Sequence, residues 1–133
     1  MKITVDTNVL VRAAVQDDQR QARQAAKALK DAALVAVPLP VLCEFVWVLR
    51  CGYKMSSAEI SDAIRRLMNG ANVVMNRPAV EAGLSILEAG GDFADGVIAH
   101  EGNWLGAEEL VSFEKEAVFK LQSQGQRGRL LSE

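Results

Sequence analysis

Hydrophobic and polar positions follow two rhythms along this chain. Runs of three or four apolar residues alternate with longer segments whose apolar positions fall three or four apart, the signatures of packed strands and amphipathic helices. Ile3–Val5 is β-branched throughout and predicts a first strand. Asp6 breaks that run, and Thr7 and Asn8 are helix-starting types. Val9, Leu10, Ala13 and Ala14 then take helical spacing. After Asp17 and Asp18, a second helix is expected to about Ala33. Ala22, Ala25, Ala26 and Leu29 form its apolar stripe, and Arg20, Arg23, Lys27 and Lys30 its other face. Leu34–Val37, closed by Pro38, predicts a second strand, and Pro40 suits the first turn of a helix that ends at Cys51 before Gly52.

Ser56-Ser57-Ala58-Glu59 has the form of a capping box. It opens a helix to about Asn69 with Ile60, Ala63, Ile64 and Leu67 as its buried stripe, and Gly70 stops it. Val73–Met75 predicts a short third strand. Pro78 starts a helix through Ala89, and Gly90 and Gly91 break the chain. Asp92 then caps a further helix that carries Asp95 one turn in. Leu110-Val111-Ser112 predicts a fourth strand with Glu114 just past its end. From Gln122 the tail is polar, with a short edge strand at Arg129–Leu131. Strands alternating with helices predict an α/β fold: a mostly parallel central sheet of four to five strands, with helices on both faces. At 133 residues the expectation is a single domain.

Three features turn this pattern toward chemistry. The first is that Asp6 and Glu114 both follow strands, at the sheet edge where open α/β folds bind ligands. The second is Glu44. From Val37 to Leu49 every other residue is apolar or proline, so a buried core helix is expected with one carboxylate inside it. Such a group needs a positive partner, either a salt bridge to Arg50 or Arg12 or a cation shared with Asp6. The third is the pair Asp92 and Asp95 on one face of a helix N-terminus, where negative charge is tolerated. Capping accounts for Asp92 but not for Asp95. An acidic, all-oxygen set with one His in the whole chain selects a hard cation, Mg²⁺ or Mn²⁺. Such a cation polarises phosphoryl oxygens and activates water.

Composition changes the picture little. The chain is 50% hydrophobic and 24% charged, as expected of a folded soluble protein. It shows no signal-peptide pattern and no membrane-length apolar run, so a cytoplasmic protein is expected. The net charge of −2 would discourage a polyanionic partner. Setting five clustered acids aside leaves 12 against 15 bases, or +3 outside the cluster, which removes the objection. Cys43 and Cys51 lie on one helix, roughly 12 Å apart at about 1.5 Å per residue, too far for a disulfide, and read as reduced core fillers. There is no GxGxxG or GxxxxGK[ST] loop. His100 reads as an ordinary half-buried histidine, and Trp47 and Trp104 as core or interface anchors.

Asp6-Thr7-Asn8-Val9-Leu10-Val11-Arg12, Glu44 ahead of Val46-Trp47-Val48-Leu49-Arg50, Asp92-Phe93-Ala94-Asp95 and Ser112-Phe113-Glu114 resemble the motifs of the PIN-domain ribonucleases. The resemblance is strongest to the VapC-type toxins of toxin–antitoxin pairs. It implies an α/β/α sandwich and a Mg²⁺- or Mn²⁺-dependent endoribonuclease using one or two ions. It also implies an RNA substrate, a cognate VapB-type antitoxin and a homodimer. By the same resemblance Asp6, Glu44 and Asp95 match metal ligands, Asp92 an additional acid, and Asn8 and Ser112 polar positions that orient ligands or water. Arg12 and Lys115, each near a matched acid, are candidate phosphate contacts. One position departs: Ser112-Phe113-Glu114 stands where the family usually has Thr-Phe-Asp. The extra methylene moves the carboxylate by about one C–C bond, and displacement near 1 Å can cost about 100-fold in rate. That departure motivates an alternative, a catalytically weak or inactive antitoxin-binding or scaffold relative. A receiver-like signalling module would need an Asp where Asn76 follows the third strand, and a haloacid-type phosphatase an Asp where Asn8 stands.

Overall fold

A computed structural model describes residues 1–132. Seven helices and five strands alternate along these residues in an α/β fold. The chain forms two compact units, Met1–Asn76 and Arg77–Glu133.

The first unit is built on strands β1 (Lys2–Thr4), β2 (Leu34–Ala36) and β3 (Val73–Val74), paired in parallel in the order β1-β2-β3. Lys2 faces Leu34 and Val35 faces Val73 in the register. The central strand is the most hidden, and its Val35 is fully buried. Helices α1 (Thr7–Val15) and α2 (Gln19–Asp31) follow β1, α3 (Leu39–Cys51) follows β2, and α4 (Ser57–Met68) leads to β3. Leu10, Val11, Leu42, Phe45, Leu49, Ile60 and Ile64 supply much of the core. The capping box of α4 is fully formed: Glu59 N–H donates to Ser56 Oγ at 3.1 Å, and Ser56 N–H donates to Glu59 Oε1 at 2.9 Å. Asn72 ties the end of α2 to β3, its Nδ2 donating to the carbonyls of Leu29 and Ala32 at 2.8 and 2.9 Å.

The second unit contains α5 (Arg77–Glu88), α6 (Phe93–Trp104), β4 (Leu110–Ser112), α7 (Lys115–Ser123) and β5 (Gly128–Leu130). Its strands pair in parallel, Val111 opposite Arg129, across a βαβ crossover through α7. Ile86, Ala99 and Leu121 form one cluster with Leu110 packed against it. Phe93, fully buried, anchors α6, and hiding such a ring is worth about 1.5–3 kcal/mol. Gly96 permits the crossing of α5 and α6. A Cβ there would collide with the Ala82 carbonyl oxygen and lie 2.8 Å from the Gly83 Cα.

The structure differs from the sequence expectations at several points. The five strands make a three-stranded and a two-stranded sheet rather than one sheet of four to five. With strands of two or three residues, each ladder holds few bonds, and β4 spends its pairing on β5. The segment after Glu114, left unassigned from sequence, is helical as α7. The inside face of α3 is Leu39, Leu42, Phe45, Val46 and Leu49, so Glu44 lies on the opposite face and is exposed rather than buried. Trp47, three residues on, is 66% exposed, and Trp104 is 85% exposed, so neither is a core residue. Neither Cys43 nor Cys51 forms a disulfide, and Cys51 is exposed rather than packed.

Candidate metal and nucleic-acid site

In the first unit, Asp6 occupies the N-cap of α1 with extended backbone, and its Oδ1 accepts from Val9 N–H at 3.2 Å. The capping role is therefore real. The side chain is also exposed, and together with Asn8, Val9 and Arg12 it lines a cleft of about 460 Å³ whose other wall is α2. Arg12 is held there by Asp17. Its Nη1 lies 3.3 Å from Asp17 Oδ1, while the Tyr53 hydroxyl donates to Asp17 Oδ2 at 3.0 Å. The Tyr53 hydrogen bond and the Arg12 guanidinium hold the Asp17 carboxyl below its usual range. This tie was not anticipated from sequence, because Asp17 and Tyr53 are 36 positions apart. Glu44 does not line the cleft. It also has neither of the arginine partners considered for it: Arg12 engages Asp17, and Arg50 Nη2 donates to Ser57 Oγ at 3.2 Å.

In the second unit, Asp92 caps α6, its Oδ1 accepting from Ala94 N–H at 3.2 Å. Asp95 sits in the first turn, where its backbone N–H donates to the Asp92 carbonyl at 3.1 Å. Its carboxyl is half-buried and is pushed up from 3.8 to about 6. Burial is the main cause, followed by the negative charges of Asp92 and Glu114. Glu114 occupies the N-cap of α7 but makes no side-chain capping bond, which leaves its carboxylate uncommitted. Ser112 Oγ accepts from Glu114 N–H at 3.0 Å and so fixes the turn that presents it. Lys115, the first residue of α7, is exposed, and His100 is half-buried as expected. Three acids thus share one electrostatic neighbourhood, in which burial first, and then the charges of the other two, raise the carboxyl of Asp95.

The chain matches the PIN domain family over residues 3–102. It belongs to the PIN domain family. The match contains Asp6, Glu44, Asp92 and Asp95, and Glu114 lies beyond it. No curated protein matches the chain.

PIN domains are in general divalent-metal-dependent nucleases. The acids of this PIN domain suit such an ion by donor chemistry, since carboxylate oxygens prefer hard cations. The environment of Asp95 points the same way, because a cation would offset both the burial and the repulsion that raise its carboxyl. Among the described residues, however, no group of three or more His, Cys, Asp or Glu side chains is already arranged to hold a metal ion. The carboxylates of Asp92, Asp95 and Glu114 supply the negative charge in this unit.

Proposed function

We propose that this chain is a metal-dependent endoribonuclease, the toxin of a VapBC-type toxin–antitoxin pair, in which both units form one PIN-like domain. The observation that carries the reading is Asp95, raised to about 6 among Asp92 and Glu114 at a helix N-terminus, in a chain of the PIN family. The family match runs through the boundary at Asn76, which supports a single domain.

In this reading Asp6, Glu44, Asp92, Asp95 and Glu114 are the carboxylates available to one or two Mg²⁺ or Mn²⁺ ions. Bound there, the ion would supply a polarised phosphoryl oxygen and a water acidic enough to attack near neutral pH. The chain's own residues do the rest. Arg12, fixed by Asp17 and Tyr53, offers its guanidinium to a phosphate beside Asp6. Asn8 offers an amide to orient water or ligand on the same cleft wall. Ser112 holds the backbone of Glu114, and Lys115 adds a positive charge next to it. Partial protonation of Asp95 in the free protein makes ion uptake compete with a proton, so affinity rises with pH through about 6. A VapB-type antitoxin and a second copy of the chain are the expected partners. Apolar surface at Trp47, Trp104 and Leu105 supports protein association. Among the described residues no helix is long and apolar enough to cross a membrane, in keeping with the proposed cytoplasmic setting.

The test is cleavage of total RNA by the purified chain with Mg²⁺ or Mn²⁺, repeated with excess chelator and with Asp6→Asn. Cleavage that survives both would overturn the reading. The substitution of Glu114 for the family's usual Asp favours a second reading, a weak or inactive relative that binds an antitoxin. That reading predicts tight partner binding with no cleavage at any metal concentration.

A further inference from the structure

One wall of the Asp6 cleft remains without a role. Gln21, Gln24, Ala25 and Ala28 of α2 line it, and their spacing places all four on one helical face. Gln21 stands three residues after the N-cap Asp18, where a glutamine could complete a capping box. Only its backbone is used, Gln21 N–H donating to Asp18 Oδ1 at 3.1 Å. Neither the Gln21 nor the Gln24 amide has an intramolecular hydrogen-bond partner among the described residues, and both side chains are exposed. Ala25 and Ala28 leave the floor between them open. The wall therefore pairs two free amides with a small apolar floor, opposite an acid and a fixed arginine.

We propose that this cleft is a nucleobase subsite, in which Gln21 and Gln24 read the edge of one unpaired RNA base, adenine, beside the phosphate held by Arg12. The inference rests on the ribonuclease reading and adds to it the residues that would select the base. A glutamine amide carries two donors and an acceptor in one plane. That set matches the N6 donor and N7 acceptor of adenine, a pairing that amides make bidentately. Proteins read RNA chiefly through unpaired bases whose edges are free. The volume, about 460 Å³, lies within the roughly 300–1,000 Å³ of small-ligand sites. The floor accepts the flat face of a base, and any larger residue at Ala28 would intrude.

The experiment uses the full chain and fluorescein-labelled pentanucleotides of A, U and C. Binding is read by anisotropy in chelator, so that no cleavage is needed. A bidentate contact discriminates by about 1–3 kcal/mol, so oligo-A should bind at least about fivefold tighter than oligo-U. Gln21→Ala and Gln24→Ala together should abolish that preference, and Ala28→Leu should weaken oligo-A by steric filling. All three substitutions are on exposed positions and leave the fold intact, which circular dichroism checks. Equal binding of the three oligonucleotides by the wild type, a preference for another base, or a preference unchanged in the double variant would overturn the subsite. A second arm maps cut sites in a mixed RNA with Mn²⁺. Cutting at adenines that becomes indiscriminate in the double variant supports the subsite. Cutting with the same pattern in both proteins refutes the subsite and leaves the nuclease reading standing. Selective oligo-A binding, lost in the double variant, with no cutting refutes the nuclease reading and leaves the subsite standing.

Discussion

Neutralising Asp95 should stabilise the protein when no metal is present, and only above acidic pH. In the folded chain the carboxyl titrates at about 6 instead of 3.8. Each pH unit between those values is worth 1.36 kcal/mol, which sets a ceiling of about 3 kcal/mol. Asp95 is half-buried, and Asp92 and Glu114 are both exposed, so solvent screens the repulsion. About 1–1.5 kcal/mol survives that screening. Below pH 3.8 the folded and unfolded chains both hold the proton, and the charge costs nothing. As pH rises from 3.8 to about 6 the unfolded chain releases its proton first, so stability falls across that window and stays lower above it. Asp95→Asn carries no charge at any pH. It should match the wild type near pH 3.5 and exceed it by about 1–1.5 kcal/mol at pH 7.5, a rise in Tm of about 3–8 °C for a domain of this size. Urea and thermal unfolding in EDTA, followed by circular dichroism at both pH values, measure the difference. Adding Mg²⁺ should reverse the order. Only the wild type gains from binding, by about 2.7 kcal/mol when the ion is about a hundredfold above its Kd, which exceeds the deficit of the free protein. Equal stability of the two proteins at pH 7.5 in chelator would refute the electrostatic account of Asp95, and equal gains from Mg²⁺ would refute its part in holding the ion.

Gly96→Ala should cost about 1–3 kcal/mol in urea unfolding, because the new methyl meets the Ala82 carbonyl and the Gly83 Cα where α5 and α6 cross; unchanged stability would mean the helices do not pack so closely. Ser56→Ala should lose about 1 kcal/mol by removing the α4 cap, with no change in RNA binding. Glu114→Asp, which shortens the side chain to the family's usual length, should raise metal-dependent RNA cleavage by about 10- to 100-fold if reach limits the wild type. A rate that stays flat or falls in that assay would show that the longer acid is already placed for its task.

Local rules written into the sequence determined much of this protein. Asp6 had to follow β1 and cap α1, because a β-branched run followed by Asp-Thr-Asn leaves the chain few alternatives. The reciprocal hydrogen bonds of Ser56 and Glu59 were legible in a four-residue motif, and Leu110–Ser112 was bounded as a strand by its neighbours. Asp92 and Asp95 were placed on one helical turn by spacing alone. Other features depended on which surfaces met. An apolar run around Glu44 implied burial on every side, yet a helix packs on one face, and the packing chosen by Leu42, Phe45 and Leu49 turned Glu44 and Trp47 outward. The pairing of β4 with β5, the tie from Tyr53 through Asp17 to Arg12, and the repulsion between Glu114 and Asp95 join residues well separated in the chain. Periodicity fixes what a segment hides, because that is a property of a few consecutive residues. What the hidden face meets, and which charges come to face one another, is settled only when separate segments compete for the same partners in space.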